Sequence, residues 1–301
     1  MLRWRLLGAA GILVPLFGLL YLDTFWNFGV PGLWLVPIGG LLVVAAAGET
    51  LDILHGNGYR PADWAVYGGA MLVFLTGCGP TFVGLLNGDQ GEAFTAAWEW
   101  SLMAMGAALV LAFLSEMTRF REPGRSIVHV ALAWLVVGYA GLLMSFVARL
   151  RFFRDEMWGM VALISLVLVV KMSDTGAYTV GKLCGKRKMS PRLSPGKTVE
   201  GAIGGLVFAA GASWLFFGAA VPWAMGVRVT PWWGPPMYGL IVALAGMVGD
   251  LAESLLKRDM GRKDSSRWLP GLGGVLDVVD SVLMAAPAAL CCWSCGLVAP
   301  G

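Results

Sequence analysis

Charge is what this sequence has least of. Asp, Glu, Lys and Arg make up 14% of its 301 residues, against about 25% in ordinary soluble domains. With 57% hydrophobic residues and a mean hydropathy of +0.72, the chain has too little polar surface to face water, so its solvent over most of its area is lipid. The net charge of +3 is too small to point to nucleic acid; it suits basic loops set against anionic headgroups. Cysteine is scarce too. Five of them in a membrane chain do not make a disulfide framework. The cluster "CCWSC" (Cys291, Cys292, Cys295) lacks the second pair or histidine that zinc would need, and reads as small apolar helix residues. Internal repeats, low-complexity tracts and a soluble domain are absent as well. The longest polar stretch, about 181–199, is too short to bury a core of its own. No small-x-small cleavage site follows the apolar run behind Arg3 and Arg5, so that run is expected to stay as a first membrane helix.

What the chain has instead is long apolar runs. Crossing the hydrocarbon takes about 20 such residues. Nine windows qualify, roughly 6–22, 30–48, 62–86, 95–117, 126–148, 157–173, 200–221, 236–256 and 274–298. They are too long and too apolar for barrel strands, and in lipid only helices or closed barrels satisfy the backbone. The expectation is an all-α, polytopic membrane protein of about nine transmembrane helices. Trp26, Trp232 and Trp233 read as interface anchors. Basic residues set orientation. Lys182, Lys186, Arg187, Lys188, Arg192 and Lys197, then Lys257, Arg258, Arg262, Lys263 and Arg267, and also Arg119, Arg121 and Arg125, fall on one side if the helices alternate from a cytoplasmic N-terminus. Arg149, Arg151 and Arg154 break the pattern.

The chain divides by chemistry. Residues 1–156 are apolar with plain loops and are expected to be N-terminal transmembrane helices with an oligomerisation or lipid-facing role. Residues 157–301 gather polar groups at helix ends and inside helices, and are expected to hold the catalytic part. In "GDLAESLLKRDMGRKD" (Gly249 to Asp264), Asp250, Glu253, Ser254 and Lys257 share one helical face. In "GGVLDVVDS", Asp277, Asp280 and Ser281 form a second acidic stripe. An Asp near a helix centre costs roughly 2.5–3.5 kcal/mol on insertion scales, so paired stripes need a reason. A divalent cation would offset their repulsion, and magnesium takes carboxylate oxygens while keeping positions open for phosphates. An interhelical salt bridge, for example Asp280 with Lys257, is the plainer alternative. Between the stripes, "WLPGLGG" (Trp268 to Gly274) turns into a helix N-terminus, whose free N–H groups suit an anion. A third element, Lys171 to Gly201, offers Asp174, then Ser194, Lys197 and Thr198 as phosphate partners, and Glu200 at the next helix start. Its "GKT" is not a Walker A, because the spacing fails and no strand precedes it. Together these describe metal-assisted phosphoryl or nucleotidyl transfer to a lipid.

The segments "SDTGAY", "LSPGKTVEG", "GDLAESLLKRDMGRKD" and "PGLGGVLDVVDS" resemble the bacterial phosphatidate cytidylyltransferases, the CDP-diacylglycerol synthases, strongly over about 171–281. Two positions depart from the family's commonest form: Leu272 replaces a histidine and Val278 an arginine, so neither of those side chains is essential to an active form of this chain. The resemblance implies CTP and phosphatidate as substrates, CDP-diacylglycerol and pyrophosphate as products, and one or two magnesium ions. It implies Asp250, Asp277 and Asp280 as metal ligands, with Ser254 and Lys257 beside them in catalysis. Asp174, Ser194, Lys197, Arg258, Lys263, Gly273 and Gly274 are then the expected substrate-binding residues. It further implies a multi-pass protein of the cell inner membrane with its site open to the cytoplasm, surrounded by membrane lipids and compatible with a homodimer. The rival readings are a CDP-archaeol synthase or polyprenol kinase type of CTP-using transferase, a secondary transporter, and a non-catalytic scaffold.

Overall fold

The structure is a computed structural model and describes residues 15, 18–86, 90–121, 123–262, 265–266 and 273–300. It falls into two compact units, Met1–Met160 with Asp259–Val279 and Val161–Arg258 with Asp280–Gly301.

In the first unit a helical stretch at 18–25 precedes α1 (Leu35–His55), α2 (Asp63–Gly77), α3 (Gly79–Leu85), α4 (Gln90–Arg119) and α5 (Ser126–Arg151). Helix α6 (Glu156–Cys184) begins here and runs on into the second unit. The core of this unit is built from small residues: Ala70 on α2, Ala104, Ala108 and Ala112 on α4, and Ala133 and Ala140 on α5 are all buried. Between apolar helices in lipid, close backbone approach supplies the packing that hydrophobicity cannot. A π-helical turn at Val137–Leu142 sits within α5 where it meets α2.

The basic cluster that broke the orientation pattern is not a loop cluster. Arg151 and Asp23 are 2% and 0% exposed and pair at 2.6 Å, Nε to Oδ2. Asp23 also accepts from the amides of Gly32 at 3.1 Å and Trp34 at 3.2 Å. Arg149 is buried, with its guanidinium 4.3 Å from the centre of the Trp98 ring. Of the three, only Arg154 is exposed.

The second unit holds the rest of α6, then β1 (Lys188–Ser190), β2 (Ser194–Thr198), α7 (Val199–Met225), α8 (Gly234–Asp259) and α9 (Leu276–Ser294). Strands β1 and β2 pair antiparallel, Lys188 opposite Thr198 and Ser190 opposite Ser194. The basic stretch expected as a loop is therefore a small hairpin. Short strands β3 (Val229–Thr230) and β4 (Ala299–Pro300) also pair. Inside, Phe217 meets Tyr238 and Trp293 edge-on, and the Tyr238 and Ser165 hydroxyls are 2.8 Å apart, which satisfies the polar end of a fully buried ring.

Seven described helices are long and apolar enough to cross a membrane: Leu35–His55, Trp98–Arg119, Ser126–Arg151, Glu156–Cys184, Val199–Met225, Gly234–Asp259 and Leu276–Ser294. They match seven of the nine expected windows. Window 62–86 divides at Cys78 into α2 and α3, because Gly77, Gly79 and Pro80 interrupt it. Window 6–22 lies mostly outside the described residues.

Candidate active site

The expected site residues fall into two polar clusters, one in each unit. In the second, α8 and α9 touch backbone to backbone. A Cβ on Gly249 would stand 2.7 Å from the Asp280 carbonyl oxygen and 3.1 Å from Ser281 Cα, so only glycine permits this approach. The contact brings Asp250, the next residue on α8, beside Asp280 on α9. Lys197 reaches in from β2 and pairs with Asp250 at 2.5 Å. Asp174, on α6, pairs with Lys171 at 3.6 Å. Asp174 and Asp280 lie within electrostatic range of each other, of Asp250 and of Lys171. Asp280 is buried, and one of its oxygens accepts from the Ser281 amide at 2.6 Å.

The hairpin that delivers Lys197 is fixed at both ends. Thr198 caps α7 by accepting from the Gly201 amide at 3.1 Å. Glu200 accepts from the amides of Lys186 at 3.0 Å and Arg187 at 3.1 Å. The Arg258 Nε donates to the Leu193 carbonyl at 3.2 Å. Ser194 is half-buried on β2, and Ser254 half-buried on α8. One turn along from Ser254, the expected phosphate ligand Lys257 is buried and donates to Glu253 at 2.8 Å. The interhelical alternative, Lys257 with Asp280, gives way to this pairing within α8.

The cluster in the first unit surrounds Asp277. Its Oδ2 accepts from Ser265 Oγ at 2.7 Å, the Ser265 amide at 3.2 Å and the Gly274 amide at 2.7 Å. Gly273 has φ +91°, a left-handed conformation that glycine adopts without strain and that starts the turn into α9. The next two amides, Val275 and Leu276, donate to Glu49 on α1 at 2.8 and 2.9 Å. The N–H groups expected to meet an incoming anion thus carry the chain's own carboxylates. Lys263, Pro270, Gly271 and Leu272 lie outside the described residues. Glu49 was not among the expected site residues, although "GETLD" (Gly48 to Asp52) places acids at the end of an apolar helix, as "GDLAE" does on α8.

The Cytidylyltransferase family model matches residues 10–295. The chain belongs to the cytidylyltransferase family. Among its curated relatives, the phosphatidate cytidylyltransferase of Brucella suis is 37% identical over 210 residues, 67% of this chain and 74% of the relative. That of Staphylococcus aureus is 36% identical over 193 residues, 62% and 66% of the two chains. That of Haemophilus influenzae is 39% identical over 144 residues, 47% and 49% of the two. The protein is thus a membrane-embedded nucleotidyltransferase.

Among the described residues no three His, Cys, Asp or Glu side chains form a ready-made metal cage. Magnesium does not require one: it is commonly held by one or two carboxylates together with substrate phosphates. Asp250 and Asp280 supply two hard oxygen donors from adjoining helices, the donor chemistry that such an ion takes.

Proposed function

We propose that this cytidylyltransferase transfers the cytidylyl group of CTP to phosphatidate, giving CDP-diacylglycerol and pyrophosphate. The observation that carries this reading is the meeting of Asp250 and Asp280 at the Gly249 contact, with Lys197 already on Asp250. Curated relatives bearing the name phosphatidate cytidylyltransferase support the choice of substrates.

In this reading Asp250 and Asp280 hold magnesium, which when bound supplies charge neutralisation on the triphosphate. Lys197 and Ser194 bind phosphate oxygens from the hairpin side. Asp174 and Lys171 keep the local charge balanced, and Arg258 holds the hairpin in place. Lys257, bound to Glu253, and the nearby Ser254 stabilise the stripe on α8. Asp277, held by Ser265 and Gly274, shapes the turn into α9. The attacking group is a phosphate oxygen of phosphatidate. It is anionic already, so no side chain need remove a proton. It forms a bond to the α-phosphorus as the bond to the bridging oxygen breaks, and pyrophosphate leaves with that electron pair. Catalysis is then positioning plus charge neutralisation.

We assign the site to the cytoplasmic side of the inner membrane, because CTP is soluble and the basic residues of 181–199 gather at that end. A homodimer belongs to the same reading; native mass spectrometry in mild detergent counts the copies.

The test is a radiolabelled-CTP assay on the purified protein with phosphatidate. CDP-diacylglycerol and pyrophosphate are expected, with turnover falling about 100-fold or more when magnesium is chelated. Formation of a phospholipid plus CDP would instead indicate a kinase. Solute uptake into proteoliposomes without CTP would indicate a transporter.

A further inference from the structure

Glu49 is a buried acid that the proposed chemistry does not use. It sits on α1, far in sequence from every signature segment, and is 7% exposed. A carboxylate that deep needs donors; it has three of its own, and it shares the single Ser265 hydroxyl proton with Asp277. Ser265 Oγ donates at 2.9 Å and Ser266 Oγ at 3.0 Å; the Val275 amide donates at 2.8 Å and the Leu276 amide at 2.9 Å. The two serines precede the Pro-Gly segment of the signature and the two amides follow it.

The two amides open the first turn of α9, where no helical carbonyl can accept from them. Glu49 therefore supplies both the missing acceptors and the negative charge that a helix N-terminus favours. Asp277 ties the same two ends to each other, through Ser265 and Gly274. A Cβ on Gly274 would fall 2.6 Å from Glu49 Cδ, so glycine at this position is what lets the carboxylate in. One acid joins Ser265 to Gly274 and the other fastens the residues on either side of the Pro-Gly segment to α1.

We propose that Glu49 is a positioning residue for the signature loop: it holds both ends of the loop and the first turn of α9 against α1. Only its kinetic consequence rests on the transfer reaction proposed above.

The experiment uses the full-length protein in lipid nanodiscs, as wild type, Glu49→Gln, Glu49→Asp and Ser266→Ala. The amide of Gln has one acceptor oxygen and brings an NH2 toward N–H donors. Hydrogen exchange at Val275 and Leu276 should therefore rise by about 10-fold or more in Glu49→Gln, less in Glu49→Asp and least in Ser266→Ala. Transfer is measured per folded protein. In Glu49→Gln kcat should fall by about 10-fold or more while KM for CTP moves by less than about 3-fold, and Glu49→Asp should recover part of kcat. A merely structural role would lower the folded fraction and leave kcat per folded molecule unchanged. Wild-type exchange rates at 275–276 in Glu49→Gln would overturn the proposal. Faster exchange with unchanged kcat would overturn the positioning role. Were the wild type itself to make no CDP-lipid, the functional reading would fall, and the exchange measurement would still decide whether Glu49 holds the loop.

Discussion

Among the described residues the shortest ion pair of each unit is a lysine or arginine on an aspartate, and the two pairs differ in access. Asp23–Arg151 is 2.6 Å long and sealed, at 0% and 2% exposure. Lys197–Asp250 is 2.5 Å long and accessible, at 37% exposure for Asp250 and 26% for Lys197. The sealed pair has every neighbour supplied by the fold, including the Gly32 and Trp34 amides. Nothing can be exchanged there without leaving a charge stranded. In the accessible pair, lysine and carboxylate can each turn to a ligand of opposite sign at little desolvation cost. Ion-pair length says nothing about role in this chain; access does.

The contrast breaks most sharply at Arg151. Arg151→Ala strands Asp23 and should destabilise the protein by about 3–5 kcal/mol, whereas removing both partners should recover much of that loss. Thermal unfolding in detergent measures both. Asp250→Asn should do the opposite: transfer falls by about 10²–10³-fold, or about 2.7–4 kcal/mol of transition-state stabilisation, while the melting temperature hardly moves. If Asp250→Asn instead melted the protein as Arg151→Ala does, the two pairs would be of one kind. Gly249→Ala tests the contact that brings the carboxylates together. The added methyl must push α8 from α9, at a cost of about 1–3 kcal/mol, and activity should fall by more than stability, since Asp250 and Asp280 move apart. The mildest change is Thr198→Ala, which uncaps α7 and should cost about 1 kcal/mol. Denaturation reads that loss, and steady-state kinetics should show a higher KM for CTP with little change in kcat, because the hairpin carrying Lys197 loosens.

Much of this was legible because local patterns carry it. Long apolar runs mark seven of the helices, and helical spacing put Asp250 and Asp280 on polar stripes. The break at Cys78 was also readable, in Gly77, Gly79 and Pro80, but an apolar average over the window hides it. What the sequence conceals is pairing across distance. Arg149 and Arg151 look like loop charges until Trp98 and Asp23 are seen to take them up. Lys257 shares a helical face with Asp250, but only the structure shows that it donates to Glu253, one turn back on the same helix. Glu49 meets partners more than 200 positions away (Ser265 is 216 residues on), and no periodicity reports such a contact.

The loop held by Glu49 also bears on how this chain can be divided. A cut between α5 and α6 would place the whole signature on one fragment and its carboxylate anchor on the other. The C-terminal piece would keep every motif residue yet leave Ser265, Ser266, Val275 and Leu276 without the acceptor they share. The shortest unit able to carry the turn into α9 in this form therefore includes α1, so a gene trimmed to its recognisable motif would be missing part of the scaffold that motif is written on.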